Sequence, residues 1–464
     1  MSSIMNHRLE CVRRSFVAVI LASVLLAPGA AAQSSPAAAP ASQDAKMKWF
    51  RDAKYGLLIT WGLYAIPAGE WKGKLIGGPG EDIMSFAHIP AKEYEQLATG
   101  FHPAAFNAEE WAQFAEDIGT KYIVITAKQS DGFAMFRSAA SKFNVYDATP
   151  FHRDPLKELA DACAKHKIRL GFSYSLAPDW HEPNAPGNTW DFGPDAPRDV
   201  EAYLRAKAEP QVRELLTQYG PVALMAFETS PAIDAAWDRR FMEIMHSLQP
   251  AALIDRRLGS SADYTFMSEG RAPAAVTQGG WEASATMNHT WGYRKDDNTW
   301  KSTEDLTFAL VDAVSKGGNY LLNLGPTAEG VIPQPSRSIM SSLGRWLKTN
   351  GEAVYGAGPT AFGDELAGNQ WRCTTKPGKL FIHLFEWPSN FEVSKVKPQV
   401  TKAYLLAVPT EPMKFVQRGD RVTVSLPDKP PLEYELSPRL NPKLMTLGQG
   451  EHVHTVLVLE TRSN

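Results

Sequence analysis

Cysteine is scarce in this chain, with 3 in 464 residues. Cys11 falls in a segment read below as removable, which leaves Cys163 and Cys373 as two distant thiols, read as buried and free. No disulfide framework is available, so stability has to come from a large apolar core. A basic excess is missing too. The formal net charge is −3, and no Lys/Arg cluster interleaved with aromatics occurs, which sets nucleic acid aside as a partner. No G-x-G-x-x-G opens a helix after the first strand, against a dinucleotide cofactor. No G-x-S-x-G elbow is present, against a Ser-His-Asp hydrolase. The histidines, among them His88, His102, His152, His166, His181 and His289, are scattered without metal-ligand spacing. Neither a metal nor a cofactor is expected. No apolar run reaches the roughly 20 residues a membrane helix needs, so no span is expected in the mature chain.

What is present begins with an export signal. Arg8, Arg13 and Arg14 precede the apolar run 16–26, and Pro28-Gly29-Ala30-Ala31-Ala32 supplies a helix break and small residues for cleavage. Residues 1–32 read as a signal peptide, which implies a periplasmic or secreted protein, and 33–45 as an Ala/Pro/Ser-rich linker. From 46 to 356, continuous apolar runs alternate with helical patterns. Strands are expected at 55–60, 122–126, 170–174, 223–227, 252–254 and 320–324. Helices are expected at 108–118, 155–166, 200–219, 239–249, 303–316 and 335–349, with Asn107 and Asp154 as N-caps. Unbroken apolar strands joined by helices predict a parallel sheet covered on both faces, closed as a (β/α)₈ barrel or open. Beyond 357 short strand-like runs separated by Pro, Gly and Asp predict an antiparallel β-sandwich.

In a barrel enzyme the reactive side chains stand where strands end. Just past the expected strands lie Thr60-Trp61-Gly62, Lys128-Gln129-Ser130-Asp131-Gly132, Tyr174-Ser175, Glu228-Thr229, Asp255-Arg256-Arg257 and Asn323-Leu324-Gly325. Carboxylates, amides and Arg bond sugar hydroxyls, and aromatic faces cover sugar rings. The 13 tryptophans, including Trp71 and Trp291, suit that role. Glycoside hydrolysis needs two carboxylates flanking the scissile bond. Glu228, after the apolar run 223–227, is the candidate nucleophile. Glu269 and Glu282 are the candidates for acid/base.

Several segments resemble the α-L-fucosidases of glycoside hydrolase family 29. They include WFRDAKYG (49–56), WGLY (61–64), Glu70-Trp71, NVYDATP (144–150), Asp179-Trp180-His181, TMNHTWGY (286–293), SKGGNYLLNLGPTAEGVIP (315–333) and NGEAVYG (350–356). The resemblance covers about residues 48–360. It implies a TIM-like barrel with a C-terminal β-sandwich, no metal, a fucosylated carbohydrate as substrate and a retaining two-carboxylate mechanism. It assigns sugar binding to Glu70, Trp71, Tyr174 and Arg257, and leaves the acid/base between Glu269 and Glu282. A homo-oligomer is compatible with it. The pocket departs from the family's pattern at five positions. His-Trp-Gly is Thr60-Trp61-Gly62, Lys-His-His-Asp-Gly is Lys128-Gln129-Ser130-Asp131-Gly132, and Trp-Phe-Asp is Ala226-Phe227-Glu228. Thr60, Gln129 and Ser130 are therefore the residues that would meet the sugar where histidines usually do. Lost histidine donors change which hydroxyls are recognised, and Glu for Asp extends the carboxylate by one methylene in a site held to about 0.5 Å. Two alternatives follow: a glycosidase of shifted specificity, or an impaired relative that binds sugar.

Overall fold

The computed structural model describes residues 43–228, 233–259, 261–267, 272–363, 370–428 and 454–462. The expected signal peptide and nearly all of the expected linker lie outside these residues. Helix α1, Gln43–Ala53, opens inside the stretch 33–45 read as linker.

Eight parallel strands form one sheet: β1 Tyr55–Ile59, β2 Tyr122–Lys128, β3 Arg169–Ser175, β4 Leu224–Glu228, β5 Leu253–Ile254, β6 Tyr264–Met267, β7 Gly280–Ala285 and β8 Asn319–Leu324. Their spatial order is β5-β4-β3-β2-β1-β8-β7-β6. A parallel bridge between Asp255 and Tyr264 joins the two edges, reinforced by Arg256 N–H donating to Tyr264 O at 2.8 Å. The sheet is thus closed into the expected barrel. β6 and β7 were not among the expected strands. Tyr264–Met267 is short, and β7 carries Glu282 and Ser284 inside the ring, so neither gives an unbroken apolar run.

Helices α2 Ala108–Asp117, α3 Pro155–Lys165, α4 Glu209–Gln218, α5 Ala235–Leu248, α6 Thr303–Ser315 and α7 Gln334–Asn350 lie on the outer face. The cap chemistry is as expected. Asn107 accepts from the amides of Glu109 and Glu110. Asp154 accepts from Lys157 N–H, with Pro155 in the first turn. Pleating splits each strand between two cores. Leu57, Ile123, Phe172, Met225, Phe227 and Leu322 face the helices, while Leu58, Val124, Leu224, Ala226, Leu253 and Leu321 fill the barrel. Met47 and Phe50 of α1 join that inner cluster and Asn319 donates to Phe50 O at 2.8 Å, so α1 plugs the end of the barrel where the strands begin.

The C-terminal part pairs a four-stranded antiparallel sheet with a three-stranded one. Ile382, Leu384, Phe391, Val422, Val424, Leu457 and Leu459 form their common core, with Cys373 among them. Alternate residues Phe381 and Val458 belong to the outer barrel core, and Arg372 reaches Asp312 of α6 at 2.6 Å. This sandwich matches the expected class. Both Cys163 and Cys373 are buried and free. Among the described residues no helix is long and apolar enough to cross a membrane.

The barrel interior leaves no spare room at Gly56. A Cβ there would lie 2.4–2.8 Å from the ring of Tyr122, which is held by Glu282 and packed against Phe50. Gly56→Ala is expected to destabilise the fold by about 1–3 kcal/mol through overpacking. Thermal unfolding checks this, and an unchanged melting temperature would show that Tyr122 moves freely.

Candidate active site at the barrel mouth

Glu228 is the last residue of β4 and shares the pleat of Leu224 and Ala226. Its half-buried carboxylate therefore faces the open end of the barrel. Burial raises it above the usual carboxylate range; Arg257 and Lys128 oppose that shift and Asp255 adds to it. Arg257 is gripped by Asp255, with Nε 2.6 Å from Oδ2, and its guanidinium lies 4.0 Å over the ring of Phe266. Asp255 also accepts from Phe227 N–H at 3.2 Å, so the cation is anchored to the same strand that carries Glu228.

The positions that replace histidines are placed at the mouth but are mostly occupied. Thr60 Oγ1 donates to Asn323 Oδ1 at 2.7 Å, and Asn323 Nδ2 donates to Trp291 O at 2.7 Å. Ser175 Oγ donates to Pro178 O at 3.0 Å, so Ser130 Oγ, 3.3 Å away, is the donor in its bond with Ser175. Both hydroxyl protons are therefore spent within the protein. Gln129 is half-buried, and among the described residues its side-chain amide makes no hydrogen bond. Trp291 is half-buried against the barrel core and forms part of the rim.

Two expectations need correction, those for Tyr174 and Glu282. Tyr174 lies on the outer face of β3, fully buried, with its hydroxyl donating to Gln211 of α4 at 2.7 Å; pleating points it away from the mouth. Glu282 sits inside the barrel, fully buried and hydrogen-bonded to Tyr122. Burial pushes it up to about 7, but a carboxylate sealed under the inner core cannot reach a leaving group. Glu70 and Trp71 stand on a small hairpin, Glu70–Trp71 with Lys74–Leu75, where Glu70 pairs with Lys295 at 2.7 Å and Trp71 packs on the outer core. Glu269 lies outside the described residues.

The acids that sense Glu228 come from a turn that the sequence reading passed over, Gly80–Asp82. Glu81 Oε2 accepts from Gly292 N–H at 2.8 Å and fastens this turn to the loop that carries Trp291. Burial and then Asp82 push Glu81 up to about 8. Asp82 is half-buried, and among the described residues its carboxylate accepts no hydrogen bond. Burial, then the charges of Glu228 and Asp131, push it up to about 6. Asp131 is itself buried, accepts from Tyr94 OH at 2.9 Å and is pushed up to about 6, mainly by burial. The only signal in the sequence is the adjacent acid pair Glu81-Asp82 after Pro79-Gly80, which carries no motif of its own.

Among the described residues no three His, Cys, Asp or Glu side chains gather as a metal would require. A surface groove of 620 Å³ between the first turn of α2 and the length of α3 lies outside the strand ring, and its charges include the pairs Lys165 with Glu109 and Arg153 with Glu158. It offers no chemistry comparable to the mouth.

A family model described as Alpha-L-fucosidase matches residues 24–352. The chain belongs to the α-L-fucosidase family. It is 28% identical over 406 residues to the tissue alpha-L-fucosidase of Mus musculus, covering 82% of this chain and 88% of the mouse protein. It is also similar to two solved structures at 30% identity. The alpha-L-fucosidase of Vibrio sp. strain EJY3 superposes with a TM-score of 0.80 over 90% of this chain and 73% of that one. Alpha-L-fucosidase isoenzyme 1 of Paenibacillus thiaminolyticus superposes with a TM-score of 0.79 over 91% of this chain and all of that one. The fold and the glycosidase class expected from the motifs are therefore those of the family, and the replaced histidines are departures within it.

Asp82 gives the site a measurable signature. Its proton affinity is higher folded than unfolded, so its protonation stabilises the fold at acid pH and that stabilisation is lost as pH rises through about 6. Asp82→Asn should melt with the wild type near pH 4 and above it, by on the order of 2 °C, near pH 8. Melting curves at both pH values check this, and a difference that shrinks with rising pH would contradict it.

Proposed function

We propose that the protein is an exported, retaining exo-glycosidase that removes terminal α-L-fucose or a closely related sugar from glycans. The observation that carries this reading is Glu228 at the barrel mouth, flanked by Arg257 and by a second carboxylic acid, Asp82, inside a fucosidase-family barrel. A retaining glycosidase needs one carboxylate ionised and the other protonated at the same pH. Burial, then the charges of Glu228 and Asp131, push Asp82 up to about 6, the direction a proton donor needs.

In this reading Glu228 attacks the anomeric carbon and Arg257 bonds the sugar hydroxyls. The leaving oxygen takes its proton from Asp82 or from Glu269, and the same acid then activates water for the second step. Thr60 and Ser130, already hydrogen-bonded within the protein, recognise the sugar by shape more than by donation. Gln129 is the remaining amide of that group. This favours a specificity shifted from that of a site built on histidine donors. The N-terminal basic and apolar pattern supports export to the periplasm or the medium.

An aryl-glycoside panel tests the reading. An α-L-fucoside, or a glycoside of similar shape, should be turned over, and Glu228→Gln should lower kcat by about 10³-fold or more. If no glycoside is hydrolysed while a free sugar still binds, the protein is a sugar-binding relative and the enzymatic reading falls. Asp82→Asn and Glu269→Gln separate the two proton donors. Loss of the true donor should be severe on poor leaving groups and mild on 4-nitrophenol, because a good leaving group needs little protonation.

A further inference from the structure

Large apolar side chains are buried or half-buried nearly throughout the molecule. Among the described residues four stand exposed: Leu75, Phe86, Val331 and Val416. One such side chain alone is ordinary, but a group of them marks a contact surface. Leu75, 65% exposed, and Phe86, 55% exposed, both fall in the segment 75–86 of the long loop that follows β1. Direct hydrogen bonds tie this segment to the rim of the mouth. Gly80 N–H donates to Thr290 Oγ1 and Gly292 N–H to Glu81 Oε2, each at 2.8 Å. Trp291, between them, is bonded through its carbonyl to Asn323 of β8, and Asn323 accepts from Thr60 just past β1.

Phe86 ends the short helix Ile83–Phe86, and its ring is backed on one side only. Gly78 has φ +85°, and a Cβ on it would lie 2.7–2.8 Å from three carbons of that ring, Cε1, Cζ and Cε2. An approach in the plane of the ring would bring Cζ clearly closer than its neighbours, so the near-equal distances put Gly78 over the ring face. One face therefore rests on backbone and the other is open. The backing is held firmly. Arg294 Nη1 donates to Ile76 O at 2.7 Å and to Gly78 O at 2.8 Å, while its Nε and Nη2 fork onto Asp296. The far end of the segment is fixed as well. His88 stacks on Trp190 with ring centroids 5.9 Å apart, and Trp190 Nε1 donates to Ile89 O at 2.9 Å. His88 takes φ +48°, a strained conformation that persists only where the surroundings impose it.

We propose that Phe86 is a specificity-determining residue that seats the second sugar of the substrate, the ring that leaves when the terminal sugar is cleaved. The proposal rests on the reading of the protein as an exo-glycosidase. Such a pocket takes the terminal sugar into the barrel mouth, so the rest of the glycan has to cross the rim. An immobilised aromatic ring with one open face is the surface on which the C–H side of a pyranose packs, at little cost in side-chain entropy because the ring is already fixed. Asp82 lies four residues earlier, on the same side of the helical turn, which places the seat beside a candidate proton donor for the leaving oxygen. One ring and one Leu side chain are far smaller than the roughly 800 Å² that each partner buries in a stable protein interface, so a single sugar ring fits the surface better than a second protein.

Isothermal titration of the Glu228→Gln protein, which leaves its ligand intact, tests the seat. The ligands are free L-fucose and the (1→3)-, (1→4)- and (1→6)-linked fucosyl-N-acetylglucosamines. At least one disaccharide should bind about 5-fold or more tightly than fucose, and adding Phe86→Ala should cut that advantage to below about 2-fold with the fucose constant little moved. Phe86→Trp should keep the advantage, because it offers the same open face. Val416→Ala removes an exposed apolar side chain of the sandwich and should change neither constant. A disaccharide advantage that survives Phe86→Ala overturns the proposal, and so does its absence from the protein that keeps Phe86. Light scattering covers the other occupant: a dimer that Phe86→Ala turns into monomers, with the sugar constants unmoved, would assign the ring to a second copy and also overturn the proposal. Binding is read without turnover, so a wild type that hydrolyses no glycoside would remove the enzymatic reading while the affinity ratio still judges the seat.

Discussion

Successive side chains of a strand point to opposite faces, and closing the sheet through the Asp255–Tyr264 bridge turns one of those faces into the barrel interior. That single constraint distributes the chemistry. On β4 it sends Met225 and Phe227 to the helices and Leu224, Ala226 and Glu228 inward. The same alternation on β3 gives Ser175 to the mouth and Tyr174 to α4. Height along the strand decides the rest. Glu228 ends its strand and opens to solvent, whereas Glu282, with Tyr122, sits below the inner core.

Charge then has to be balanced in a place with little water. Glu228, Asp131, Asp82 and Glu81 gather on one side of the mouth, and burial raises each of them. Opposing this at Glu228 is Arg257, tied to its own buried carboxylate, Asp255. An ion held by a partner of opposite sign cannot relax toward a new charge, which is the preorganisation an oxocarbenium-forming reaction uses. The replaced histidines fit the same scheme. Thr60 and Ser130 close hydrogen bonds with Asn323 and Ser175, so the pocket wall is satisfied without a ligand.

Much of this could be read from the residues. The unbroken apolar runs and the caps at Asn107 and Asp154 specified a parallel sheet covered by helices, and the Pro/Gly-punctuated tail a sandwich, because burial on two faces and on one face leave different patterns; closure into a barrel was implied by the family resemblance alone. Strands β6 and β7 escaped, since interior Glu282 and Ser284 look like the polar faces of loops. Tyr174 was misplaced by one step of the pleat, a shift that local sequence does not fix. Glu81 and Asp82 stand in no motif that marks them, and only tertiary structure shows that Gly80–Asp82 is pinned to Gly292. Nor does local sequence show that the Phe86 ring rests on Gly78, which Arg294 holds from 216 positions away.

The central claim is that Glu228 forms the covalent bond to the sugar. It is tested most directly by incubating the protein with an activated 2-fluoro-2-deoxy fucosyl donor and mapping the product by peptide mass spectrometry. The account predicts one adduct per chain, on Glu228, that hydrolyses slowly with return of the free protein. A protein that consumes ordinary fucoside yet carries its adduct on another carboxylate, or none at all, would contradict it.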